Sequence, residues 1–148
     1  FRVRASGGVT FLTTLSGGVE LAPGSGTWAM LSDRNAKENI RAEDPEAVLQ
    51  AVADLPVSSW NYKAQDASIR HVGPMAQDFH AAFGLGDGET TINTVDIDGI
   101  NMLAIQALER RTREIAHLEA RLAETESRLV ELQAALQALL TQLGTEAR

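Results

Sequence analysis

Towards the carboxyl end of the chain, apolar residues recur with a helical period and almost nothing interrupts them. From Ile100 onward there is no proline, and Gly144 is the only glycine. With Ile115 placed at heptad position a, Leu118, Leu122, Leu129, Leu132, Leu136, Leu139 and Leu143 all fall on a or d. Thr125 is the one polar d residue in that run; just before it, Leu108 takes a and Arg111 takes d. A helix that packs on its own domain carries a broad apolar face. A narrow a/d seam of this length predicts instead a coiled-coil helix over 100–148, associated with copies of itself. Leucine at both a and d leaves the number of strands open.

The pattern changes upstream. Residues 32–99 read as a small mixed α+β module. Asp44 can cap a helix with Pro45 at its first position; Val48, Leu49, Val52 and Leu55 form its apolar stripe, and Pro56 ends it. Trp60 and Tyr62 share one face of an expected strand, with Ile69-Arg70-His71-Val72 as its return. A second helix is expected to begin near Pro74, with Met75, Phe79 and Phe83 on one side and Gly84 as its C-terminal cap. Thr90-Thr91-Ile92-Asn93-Thr94-Val95 reads as a further strand, and Asp98 as the cap of the long helix. In residues 1–31, Ser6-Gly7-Gly8-Val9 returns as Ser16-Gly17-Gly18-Val19, with the β-branched and aromatic run Val9-Thr10-Phe11-Leu12-Thr13-Thr14 between. Short strands punctuated by Gly-Gly fit either the end of a repetitive β-shaft or an ordinary hairpin. Pro23-Gly24-Ser25-Gly26 breaks the pattern before Thr27-Trp28-Ala29-Met30-Leu31 leads into a serine.

Composition narrows the class. The formal charge of −7 divides as +1 over residues 1–31, −7 over 32–99 and −1 over 100–148. The acidity therefore belongs to the middle module, which argues against nucleic acid or an anionic membrane as partner. Nothing approaches the roughly 18 apolar residues of a membrane span, and no signal peptide is visible. With no cysteine in 148 residues, disulfides, thiol catalysis and cysteine-held zinc are excluded. No cofactor and no metal is expected. A core of the middle module's size supplies only roughly 3–5 kcal/mol, and small scaffolds need a staple. Further copies of the same chain are the staple this sequence offers. Phe1 is not a natural start, so a longer polypeptide is expected.

One stretch carries candidate chemistry: Leu31-Ser32-Asp33-Arg34-Asn35-Ala36-Lys37-Glu38-Asn39-Ile40. A serine hydroxyl becomes a nucleophile when a base takes its proton, and a lysine serves if its surroundings lower its pKa well below about 10.4. Lys37 lies five residues after Ser32. On a continuous helix that offset separates the two side chains, so pairing them requires a turn at Asp33-Arg34-Asn35, residues suited to one. Ser-Asp also has a plain structural reading, as the cap of a helix start. Other signals are weak. Gly84-Leu85-Gly86-Asp87-Gly88 lacks the strand and helix of a phosphate loop, and Asp96-Ile97-Asp98-Gly99 lacks the full ligand set of a calcium loop. His71, His80 and His117 read as ordinary strand, helix and solvent-facing residues. Glu109, Arg110, Arg111, Arg113 and Glu114 read as a solvated helix face or interchain pairs.

The order of these parts, with the match at Ser32, Asp33, Lys37 and Ile40, resembles the C-terminal intramolecular chaperone domain of bacteriophage tailspikes and tail fibres, first known from endosialidases. The resemblance runs over essentially the whole chain. Val72-Gly73-Pro74-Met75-Ala76-Gln77-Asp78-Phe79 is similar to that family's glycine–apolar–Ala-Gln motif. The family is also classed as a self-cleaving serine peptidase. The resemblance implies a homotrimer whose partners are its own copies and the β-fibre upstream in the same polypeptide. It further implies 1–31 as the end of a trimeric β-shaft, 32–99 as chaperone and cleavage module, and 100–148 as a trimeric coil. The implied reaction is cleavage at Leu31–Ser32, with Ser32 as nucleophile, Lys37 as base, and Asp33, Arg34 and Asn39 as candidates for supporting the site. The implied setting is a tailspike or tail-fibre precursor, or alternatively a bacterial surface fibre. Two rivals stand beside it: a non-cleaving trimerisation module, and an enzyme that cuts other proteins through the same pair.

Overall fold

The computed structural model describes residues 2–15 and 17–146, so Phe1 and Ser16, which opens the second glycine repeat, lie outside the described residues. It is mixed α+β, with two small sheets and a long C-terminal helix. The chain forms two compact units, 1–42 and 43–148.

The first unit is an antiparallel three-stranded sheet. Strand β1 (Val9–Leu12) pairs with β2 (Gly18–Leu21), setting Phe11 against Val19, and β2 pairs with β3 (Ala29–Met30), setting Val19 against Met30. Between β1 and β2 the Gly17 carbonyl accepts the Thr13 and Thr14 amides, and the Gly17 amide donates to Thr14 Oγ1 at 2.8 Å. Gly18 must lack a side chain, because a Cβ there would collide with the Phe11 carbonyl. The Phe11 and Trp28 rings meet at 5.6 Å, yet Phe11, Leu12 and Leu15 remain exposed.

In the second unit, α1 spans Pro45–Asp54 with the expected start: Asp44 accepts the Glu46 amide at 3.0 Å and Pro45 fills the first helical position. Strands β4 (Ser58–Trp60) and β5 (His71–Gly73) form a hairpin with Trp60 opposite His71. Tyr62 lies beyond β4 but packs edge-on against Trp60 at 4.8 Å. Trp60 Nε1 is buried with no hydrogen-bond partner among the described residues. Helix α2 (Ala76–Phe83) ends at Gly84, whose φ of 64° is left-handed and whose amide closes on the His80 carbonyl at 2.8 Å. Helix α3 runs from Thr94 to Glu146, which at about 1.5 Å per residue is roughly 80 Å of helix. The core lies where α1 packs along the start of α3, with α2 alongside. Phe79 is 2% exposed and Ala107 0%, and Ile100 and Ala104 are also buried. The two alanines let the α1 backbone approach closely.

Two expectations fail at one place. Thr90–Val95 is not a strand: the segment is a turn and an irregular link, and Thr94 and Val95 already belong to α3. β-branched residues favour a strand only where a partner strand exists, and the helical spacing of Ile97, Ile100 and Ala104 prevails here. Asp98 therefore sits inside the helix and does not cap it. The Asn93 carbonyl takes that place, accepting the Asp96 and Ile97 amides at 3.1 and 3.3 Å. Asp96–Gly99 is likewise helical and forms no loop.

With so small a core, Phe79→Ala is expected to cost about 3–5 kcal/mol, comparable to the unit's whole stability. Urea unfolding should show the cooperative transition of this unit lost or shifted to very low denaturant. A midpoint within experimental error of wild type would contradict this account of the core.

Candidate active site

The junction after β3 is built from short local contacts within the first unit. Pairing with Val19 holds Met30 in the sheet, and Leu31 follows it into solvent. Asp33 is extended (φ −67°, ψ 134°), and its Oδ1 accepts both the Asn35 amide at 3.0 Å and Asn35 Nδ2 at 3.1 Å. That clamp starts a short 3-10 turn over Arg34–Ala36. The turn is closed by the Ala36 amide on the Asp33 carbonyl and the Lys37 amide on the Arg34 carbonyl, both 3.1 Å. Lys37 returns to extended backbone (φ −122°, ψ 147°).

An extended residue, one tight turn and a second extended residue bring the ends of a five-residue offset together. Lys37 Nζ donates to Ser32 Oγ at 2.8 Å. A turn at Asp33-Arg34-Asn35 was the condition set by the sequence for pairing these residues, and the turn is present. Leu31, Ser32, Asp33, Arg34, Lys37 and Asn39 are all exposed in the single chain. Asn39 adopts a left-handed φ of 53°, a conformation asparagine tolerates better than most residues, and bends the chain just past the lysine.

The sequence reading placed Asn35 in the turn but not its side-chain bond to Asp33. The signal was available: an Asp two residues ahead of an amide donor is the pattern of an Asx turn, and here the asparagine side chain doubles the contact. Of the supporting candidates, Asp33 and Arg34 form the turn itself, through the carboxylate and the backbone carbonyl. The histidines lie in the second unit, where His71 Nε2 meets Gln65 Oε1 and His80 Nδ1 meets the Leu85 carbonyl, both at 2.9 Å. The Val72–Phe79 motif is structural, running from β5 into the first turn of α2 and delivering Phe79 to the core. Among the described residues no group of acidic or histidine side chains is arranged to hold a metal. Among the described residues no helix is long and apolar enough to cross a membrane.

Residues 32–84 match the model of a family labelled a peptidase and described as chaperone of endosialidase. The match begins at the serine of the Ser32–Lys37 pair and ends at the glycine that caps α2. It supports the C-terminal chaperone family that the Ser32–Ile40 motif resembles, and with it an intramolecular chaperone role. No curated protein matches the chain.

Proposed function

We propose that this chain is a trimerising intramolecular chaperone that guides a β-fibre upstream in its own polypeptide and then cuts itself off at Leu31–Ser32. The observation that carries the cleavage is the 2.8 Å contact between Lys37 Nζ and Ser32 Oγ, directly after the strand that fixes the peptide to be cut. Lys37, in its neutral form, takes the hydroxyl proton as Ser32 Oγ attacks the Leu31 carbonyl carbon. The C–N bond then breaks, the Ser32 nitrogen takes up a proton, and Leu31 is left as an ester on Oγ. Water hydrolyses that ester, so Leu31 ends one fragment and Ser32 begins the other.

In the described contact Lys37 Nζ donates to Ser32 Oγ, whereas a base must accept the hydroxyl proton. Loss of surrounding water favours the neutral amine, and a single copy leaves the pair exposed. Neighbouring copies packed around the junction would supply the missing burial, which couples the chemistry to completed assembly. The folding role rests on the same logic. An intertwined fibre must bring several chains into register before most of its contacts form, a slow and aggregation-prone search. The exposed seam of α3 is suited to hold the copies together during it and so raise their effective concentration. Removing the tail afterwards traps the fibre kinetically. The family description favours a phage tailspike or tail-fibre precursor over a bacterial surface fibre as the setting.

Wild-type chain, once assembled, should yield a fragment beginning Ser-Asp-Arg-Asn, while Ser32→Ala and Lys37→Ala stay full length. Intact-mass measurement of an unprocessed wild type in its trimeric state would leave the non-cleaving trimerisation module as the better reading. Cleavage of an added protein would favour the third.

Coupling to assembly has its own test. Leu122→Glu with Leu129→Glu places charges in the seam, far along α3 from Ser32 in sequence. Processing should fall at least tenfold, the equivalent of about 1.4 kcal/mol on the barrier. Normal processing of a variant shown monomeric by light scattering would uncouple the two.

A further inference from the structure

The heptad register of α3 gives its covered and bare faces a specific meaning. Ile100 and Ala107 occupy g and Ala104 occupies d, and among the described residues these are the buried positions of α3. From Leu108 to Leu143 the helix is exposed throughout. Arg111, the polar residue at d, is held by Glu46 of α1 at 2.7 Å. Glu46 stands at the start of α1 and Arg111 lies beyond the last buried residue, so α1 runs back along α3 towards Thr94. Helix α1 therefore covers the d/g flank of α3 in its own chain. The opposite flank is apolar and bare: Leu108 at a is 51% exposed, Ile105 at e 63% and Met102 at b 65%.

In a parallel, in-register ring of helices, the flank carrying a and e on one copy faces the flank carrying d and g on the next. Along Ile115–Leu143 that brings seam against seam. Two turns earlier, the d/g flank of the next copy is already occupied by α1. The bare flank of one copy then meets not a second α3 but the outer side of the α1 that lies on it. That outer side exposes Ala47, Gln50 and Ala53, short or neutral side chains that allow close approach. We propose that Met102, Ile105 and Leu108 dock on helix α1 of the adjacent copy. The contact joins two different surfaces, so it propagates around a closed ring and leaves no copy with a bare flank. The inference rests on the proposed self-association through Ile115–Leu143 and adds a second, distinct surface to it.

The chain has no cysteine, so introduced thiols report without background. All variants are made in the Ser32→Ala chain to keep it intact, and each is oxidised and run on a non-reducing gel. Leu122→Cys should give covalent dimers across the seam. Gln50→Cys combined with Ile105→Cys should give covalent dimers and larger closed species, while either change alone stays monomeric on the gel. Dimers and larger species on the gel report only bonds between copies, since an intrachain bond runs as a monomer. A second reading is independent of thiol geometry: Ile105→Asp, at a position exposed in one copy, should weaken association roughly tenfold, in line with losing one buried isoleucine. If Leu122→Cys cross-links while the double-cysteine chain stays monomeric and Ile105→Asp associates normally, the flank is unused and the inference is overturned. Dimers from Ile105→Cys alone would show the flank pairing with itself and would also overturn it. Failure of Leu122→Cys to cross-link would instead remove the seam on which the inference stands.

Discussion

The packing of α1 along the first turns of α3 is the interaction on which the second unit depends. Ile100, Ala104 and Ala107 are buried in that stretch, and among the described residues Phe79 of α2 is the one buried aromatic side chain. Beyond it α3 continues alone, carrying leucines that one copy leaves in water. A chain that buries so little apolar surface has little intrachain stability to draw on, because burial supplies most of the favourable free energy of folding. The Glu46–Arg111 ion pair marks where intrachain packing ends and the uncovered seam begins. Both side chains are about half exposed, so the pair contributes little free energy by itself. Its value is positional, since it fixes the end of α1 against one turn of α3.

The candidate site is held in a different way. Nothing in the Ser32–Lys37 junction is buried, and its geometry comes from four short hydrogen bonds within Asp33–Lys37. A capping carboxylate of this kind contributes about 1 kcal/mol, enough to favour the turn without freezing it. Such an arrangement brings two reactive groups together and leaves their surroundings to be completed by whatever packs over them. Local order without burial is what the proposed cleavage, coupled to assembly, requires of a single copy.

What the sequence made legible was mostly local. Asp44 with Pro45 marked the start of α1 because the cap acts within two residues, and Gly84 marked the end of α2 because a left-handed cap tolerates few other residues. The turn at Asp33-Arg34-Asn35 was legible for the same reason. Thr90–Val95 misled because β-branching expresses a preference that only a neighbouring strand can realise. Arg111 at a d position read as part of a solvated helix face or an interchain pair, but it pairs within its own chain. Its partner, Glu46, lies 65 residues away in sequence, where no periodic pattern could point to it. The buried alanines Ala104 and Ala107 were missed as core residues, since small side chains become core only when another helix approaches.

The chain's two tryptophans fall one in each compact unit, and their environments differ. Trp28 beside Phe11 is about half in water, whereas Trp60 is enclosed by Tyr62 and His71 with its indole nitrogen buried. Indole emission shifts to longer wavelength in contact with water, so Trp60 contributes the bluer component and Trp28 the redder one. The molecule thus carries a built-in optical label on each half, and the order in which the halves come apart can be followed by colour without attaching a dye.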